Sequence, residues 1–153
     1  MFDVPLSMYN EVYMNKRTTL FAICGLILFI FALNLVASRF FWYSIIPWFD
    51  NLMHFFGGLW LGLTATFVVI SYHPFKKKNA PSGYYLFVSL LLALIASIYW
   101  EVFEFGVQNI IQFVHLADIP DSLTDILFDI LGWSVGYLVL RRYIPSKDTQ
   151  SIV

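Results

Sequence analysis

Four long apolar stretches constrain this chain more than any other feature of its sequence. Each runs for about 20 residues, which is the length that an α-helix needs to cross the hydrocarbon core of a bilayer. The composition agrees, because 59% of the 153 residues are hydrophobic and only 12% are charged. A soluble domain of this size could not bury so much apolar surface. We therefore predict an all-α polytopic membrane protein, built as a bundle of four transmembrane helices.

The predicted domain organisation is one membrane domain with short flanking segments. An interfacial or cytoplasmic N-terminal segment covers 1–17, the transmembrane domain covers 18–143, and a cytoplasmic tail covers 144–153. Within the domain, the apolar stretches predict helices at 18–38, 50–72, 84–99 with an extension toward 112, and 122–143. Ser122 is the predicted N-cap of the last helix.

Basic and acidic residues separate along this bundle. If both termini lie on one side of the membrane, most basic residues fall on that side: Lys16, Arg17, Lys76, Lys77, Lys78, Arg141, Arg142 and Lys147. Arg39 falls on the other side, together with most of the acids. The positive-inside rule then predicts that both termini are cytoplasmic. Acids have little influence on topology, so their sorting requires another explanation.

Ionisable and polar residues follow helical spacing near the outer ends of three predicted helices. Asp50 and His54 are four apart, as are Asp125 and Asp129, while Glu101 and Glu104 are three apart. Each pair therefore lies on one helix face. At 1.5 Å rise per residue, His54, Glu101 and Asp125 all lie about 24–27 Å from the cytoplasmic ends of their helices. We expect these side chains to meet in one pocket below the outer membrane surface.

Carboxylates gathered in a pocket repel one another, and each is costly to remove from water. Protonation, a bound cation or open water can relieve these costs. An oxygen-rich set with one imidazole suits Mg²⁺, Mn²⁺ or Ca²⁺ better than a structural Zn²⁺ site. The predicted metal ligands are His54, Glu101, Glu104, Asp125, Asp129 and Asp50. If the site is catalytic, His54, Glu101 and Asp125 are the predicted catalytic residues, with His54 as a ligand or general base.

Structural interpretations compete with these assignments. The deep carboxylates and His54 also fit a partly protonated hydrogen-bond network that only fixes helix packing. Asp50 and Asp121 each fit a helix cap. Asn34 fits a hydrogen bond between helices. Arg39 fits an ion pair with Asp50 or snorkelling to the membrane surface, and its functional alternative is to hold a lipid phosphate at the outer face.

Three short motifs resemble a known family. The segment 50–55, Asp-Asn-Leu-Met-His-Phe, resembles the Asp-x-x-x-His-Phe signature of the VanZ-like superfamily of bacterial membrane proteins. The segment 125–132, with Asp125, Asp129 and Gly132, resembles the final-helix pattern of that superfamily. Glu101-x-x-Glu104 is closer to its YjdF-like branch. The resemblance covers about 50–140 and implies a compact multi-helix protein of the bacterial inner membrane.

Three functions remain open from the sequence. The first is a metal-dependent enzyme acting on a lipid or lipid-linked phosphate. The second is a binding or resistance module that holds a lipid or an envelope intermediate without chemistry. The third is a small ion-coupled or proton-coupled transporter. Membrane lipids are the expected partners, a homo-oligomer is left open, and the net charge of −1 argues against nucleic-acid binding.

Overall fold

The computed structural model describes residues 15–72, 80–111 and 119–144, and nearly all of these residues are helical. The helices are α1 (Lys16–Arg39), α2 (Trp42–Ile45), α3 (Phe49–Ser71), α4 (Ser82–Ile111) and α5 (Ile119–Leu140), with a 3₁₀ turn at Arg141–Tyr143. Four segments are long and apolar enough to span a membrane: Lys16–Arg39, Phe49–Ser71, Gly83–Gly106 and Ser122–Tyr143. The predicted fold class is confirmed.

One detail of the sequence prediction is wrong. The last helix begins at Ile119, so Ser122 lies inside its first turn and is not the N-cap. The structure also contains the short helix α2 before the second span, about which the sequence made no prediction. The predictions for the flanking segments, the Lys-rich loop and the turn before α5 fall largely outside the described residues, at 1–14, 73–79, 112–118 and 145–153.

α3 and α5 are in direct backbone contact through glycines on both helices. A Cβ atom placed on Gly58 would overlap the backbone of Asp129, and one placed on Gly132 would overlap the carbonyl oxygen of Phe55. One turn further along, Gly136 would place a Cβ 2.7 Å from the carbonyl oxygen of Leu59. Small residues four apart allow this close approach of helices in a membrane.

Not every glycine near this contact approaches the neighbouring backbone. A Cβ on Gly57 would make only an ordinary 3.7 Å contact with Asp129 Oδ1. Gly62 lies four residues after Gly58, and it packs against the backbone of Trp133. The α3–α5 contact therefore extends over at least two turns.

Buried hydrogen bonds join α3, α4 and α5 below this contact. Thr66 on α3 and Ser89 on α4 share a hydrogen bond of 2.8 Å, and the indole Nε1 of Trp133 on α5 donates to Ser89 Oγ at 3.1 Å. All three side chains are buried. Because apolar surroundings make an unpaired polar group costly, these bonds fix the relative positions of the three helices.

α1 packs against the outside of this core. The Asn15 side chain accepts a hydrogen bond from the Thr18 amide and caps its first turn. The rings of Phe29 and Phe56 meet edge to face at 5.9 Å, which ties α1 to α3. Most other large side chains of α1 are exposed, as are many on α4. In a protein that spans the bilayer, these apolar surfaces face lipid.

The backbone contact leads to a prediction about Gly58. We expect Gly58→Ala to lower the free energy of unfolding by about 1–3 kcal/mol or more, because the methyl group must push α3 away from Asp129. Thermal unfolding in detergent measures the effect. Gly25→Ala is the matched control, because no atom lies within 4 Å of a Cβ there. Equal melting temperatures for the two variants would contradict the packing described above.

Candidate metal centre

His54 lies at the centre of a cluster of acids contributed by three helices. It is one turn below Asp50 on α3, and its side chain is only 6% exposed. The glycine that follows one turn later, Gly58, contacts the backbone of Asp129. The close helix packing therefore brings the imidazole against the acidic face of α5.

The two ring nitrogens of His54 face different carboxylates. Nε2 lies 3.9 Å from Asp50 Oδ1 and 3.8 Å from Asp125 Oδ1. Nδ1 lies 3.8 Å from Glu101 Oε1 and 3.6 Å from Asp129 Oδ1. These distances exceed ordinary hydrogen-bond lengths. Ligand atoms at about 2.1–2.4 Å from a cation lie roughly 3–4 Å from each other, so the spacing suits atoms arranged around an ion.

Two sets of side chains have the spacing of a ligand set, and both include His54. One set is Asp50, His54 and Asp125, and the other is His54, Glu101 and Glu104. Asp129 lies beside the imidazole but belongs to neither set. The predicted meeting of acids from separate spans is thus confirmed as geometry, whereas the ligand roles remain predictions.

The carboxylates of Asp129 and Glu101 differ in their partners. The Ser97 hydroxyl on α4 donates a hydrogen bond to Asp129 Oδ2. Glu101 Oε1 is buried and has no hydrogen-bond partner among the described residues. That oxygen is the one facing His54 Nδ1.

The short helix α2 packs between the end of α1 and the start of α3. Tyr43 donates a hydrogen bond of 2.7 Å to Asn34 Oδ1 on α1, so the interhelical role expected for Asn34 is confirmed. The Tyr43 ring also packs edge to face on Phe49, the residue before Asp50. Burial, followed by the nearby charges of Asp50 and Glu104, raises the pKa of Tyr43 to about 12. The phenol therefore stays protonated at neutral pH and remains a donor to Asn34.

The α2 connection also shows a strained residue. Phe41 adopts a left-handed conformation with φ of 58°, which is unfavourable for a side chain of this size. It allows the chain to turn sharply from α1 into α2. The turn brings Tyr43 back over the start of α3, where Asp50 lies.

Two of the structural interpretations from the sequence are not supported. The N-cap position of α3 is Trp48, so Asp50 is not the cap, and its carboxylate faces His54 instead. Among the described ion pairs, Arg39 takes no part, so the pair with Asp50 is not observed. Asp121 lies inside α5, which begins at Ile119, and its side chain is outside the described part of the structure.

Sequence reasoning missed the contacts that support the cluster. The hydrogen bonds from Ser97 to Asp129 and from Tyr43 to Asn34 were not foreseen. The spacing does place Ser97 near the cluster, because it lies one turn before Glu101 on the same face of α4. The approach of Ser97 to Asp129 depends on how α4 packs on α5. The spacing of residues along one helix does not predict that packing.

Comparisons with known proteins identify the family. A family model described as a predicted membrane protein, DUF2238, matches residues 6–146, which is nearly the whole chain. No curated protein and no solved structure matches the chain significantly. DUF2238 is the family of YjdF-like proteins, the branch that the Glu-x-x-Glu motif indicated. The chain belongs to the DUF2238 family of predicted membrane proteins.

Proposed function

We propose that this protein binds a divalent cation at the His54 cluster and uses it to engage the phosphate group of a membrane lipid. One observation carries the proposal. The buried imidazole of His54 is surrounded, at 3.6–3.9 Å from its nitrogens, by carboxylate oxygens from α3, α4 and α5. This arrangement brings several carboxylate oxygens and one imidazole nitrogen close enough together to bind a single ion.

The charge and the burial of the carboxylates favour a bound cation over a packing network alone. Clustered carboxylates repel one another, and each one loses hydration inside the bundle. A single histidine supplies at most one positive charge against Asp50, Glu101, Asp125 and Asp129. A divalent cation balances the charge better, and Mg²⁺, Mn²⁺ and Ca²⁺ accept carboxylate ligands readily.

The position of the cluster favours a lipid phosphate as the partner of the cation. The described basic residues Lys16, Arg17, Arg141 and Arg142 lie at the opposite end of the bundle, which the positive-inside rule assigns to the cytoplasm. The proposed site then faces the outer leaflet of a bacterial inner membrane. Arg39, in the last turn of α1, is exposed at the same end as the cluster and can contact the same phosphate.

The core packing supports a lipid-directed function over transport. Between the cluster and the basic end, the space among α3, α4 and α5 is occupied by the glycine contacts and by the hydrogen bonds of Thr66, Ser89 and Trp133. A transported ion would have to pass through this packing. A lipid phosphate would meet the cluster at Asp50, which is 38% exposed, and would not have to pass through this packing.

Membership of the wider VanZ-like superfamily is part of the proposal. The Asp-x-x-x-His-Phe segment at 50–55 places His54 and Asp50 within the motif that defines the resemblance. In the structure, those two side chains face each other within the cluster. The superfamily motif and the proposed cation site therefore coincide.

Cation binding is the first test. We expect purified wild-type protein to bind Mn²⁺, measured as loss of the free Mn²⁺ signal in electron paramagnetic resonance. Asp125→Asn and His54→Ala should each weaken binding by at least about tenfold, because each removes a ligand. Ser134→Ala is the control, because its hydroxyl bonds to the carbonyl of Ile130 in its own helix and lies outside the cluster. Failure of folded wild-type protein to bind Mn²⁺, Mg²⁺ or Ca²⁺ would overturn the proposal.

Turnover is the second test. In nanodiscs containing phosphatidic acid or a polyprenyl phosphate, we expect release of inorganic phosphate that requires a divalent cation and is lost in His54→Ala. Water is the attacking group, and the lipid alcohol is the second product. Cation-dependent binding of the lipid without phosphate release would identify a non-catalytic binding module. If neither lipid binding nor phosphate release is detected, the lipid-phosphate assignment is refuted.

A further inference from the structure

The structure assigns different roles to the two sides of the His54 ring: Nε2 is the cation ligand, and Asp129, held by Ser97, is a positioning residue that fixes the proton on Nδ1. This inference rests on the proposed cation site and deepens it. It moves Asp129 from the predicted ligand set to a supporting position behind the histidine.

Depth in the bundle distinguishes the two nitrogens. Nε2 faces Asp50 and Asp125, which lie nearer the end where α3 and α5 begin. Nδ1 faces Asp129, one turn or about 6 Å deeper along α5 than Asp125. Asp50 is 38% exposed, whereas Asp125 and Asp129 are 7% and 8% exposed. A cation arriving from the membrane surface therefore meets Asp50, on the Nε2 side, first.

The Asp129 residue is held by a hydrogen bond to one carboxylate oxygen and by a contact of its backbone. Ser97 donates to Oδ2, while Oδ1 is the carboxylate oxygen closest to the imidazole, at 3.6 Å from Nδ1. The backbone of the same residue is pressed against Gly58, one turn below His54. Asp129 therefore has little freedom to turn toward a cation on the far side of the ring.

This arrangement matches the usual surroundings of a metal-binding histidine. Such histidines donate the N–H of the ring nitrogen that is not bound to metal to a carboxylate or carbonyl, which fixes the ring orientation and the tautomer. A small rotation of the His54 ring brings Nδ1 within hydrogen-bonding distance of Asp129. With its proton on Nδ1, the imidazole presents the lone pair of Nε2 between Asp50 and Asp125.

The competing arrangement places the cation on the Nδ1 side. Glu101 and Glu104 form a ligand set with His54 there, and Glu101 Oε1 faces Nδ1 at 3.8 Å. A cation in that position would compete with Asp129 for the same nitrogen. The shorter Asp129 distance and its double anchoring favour the hydrogen bond, which leaves Glu101 and Glu104 to act through water or the bound lipid.

Nuclear magnetic resonance can identify the ligating nitrogen directly. The probe is ¹¹³Cd²⁺, a diamagnetic ion that accepts carboxylate and imidazole ligands, added to full-length protein labelled with ¹⁵N-histidine. His54→Ala assigns the His54 signals among the three histidines. We expect a ¹¹³Cd–¹⁵N coupling on Nε2 and a directly bonded proton on Nδ1. A coupling on Nδ1 would overturn the inference while supporting a cation site.

Asp129→Asn tests the positioning role separately. Since Ser97 donates to one side-chain oxygen, the amide carbonyl should keep that position and the NH₂ group should face Nδ1. The ring must then carry its proton on Nε2, so we expect Cd²⁺ affinity to fall by about 10–100-fold. Ser97→Ala keeps a carboxylate beside Nδ1 and should retain the Nε2 coupling with a smaller loss of affinity.

The outcomes separate the inference from the proposed function. No Cd²⁺ binding by folded wild-type protein would end both. If the Asp129→Asn variant binds Cd²⁺ through Nε2 and its His54 ring still carries the proton on Nδ1, Asp129 is merely structural. That result would overturn the positioning role. If Asp129→Asn does not fold, the wild-type coupling and the Ser97→Ala affinity still decide the assignment.

Discussion

The direct backbone contact between α3 and α5 is the constraint on which the rest of the structure depends. It exists because Gly58 and Gly132 have no side chains at the point where the helices touch. In a bilayer, apolar burial does little to drive helices together, so close packing and interhelical hydrogen bonds must do so. The contact places His54, one turn away, against the acidic face of α5, and it positions Trp133 to reach Ser89 on α4.

This arrangement links packing to chemistry. A carboxylate cluster inside a membrane is costly, and it persists only where the surrounding helices leave the side chains no alternative position. Ser97 and the backbone contact fix Asp129, and the aromatic contact of Tyr43 with Phe49 anchors the start of α3, where Asp50 lies. The same supports that hold the acids together would hold a cation and its ligands in a defined geometry.

The sequence alone was sufficient for the spans and for the level of the site. Apolar length predicted the four helices, and four-residue spacing placed Asp50 with His54 and Asp125 with Asp129 on single faces. The sequence did not predict the contacts between helices. The hydrogen bond from Ser97 to Asp129 and the link from Tyr43 to Asn34 depend on helix rotation and on the turn at Phe41, which periodicity does not report. Ser122 was misassigned because its capping preference competed with a helix that starts earlier.

Anomalous diffraction from crystals grown in lipid with Mn²⁺ tests the central claim most directly. If His54 Nε2 and Asp125 ligate the ion, the map shows a single strong peak between α3 and α5, at about 2.2 Å from His54 Nε2 and from a carboxylate oxygen of Asp125. A map of the folded protein with saturating Mn²⁺ and no peak near His54 would contradict it. So would a structure in which the acids of α3, α4 and α5 point toward separate neighbours.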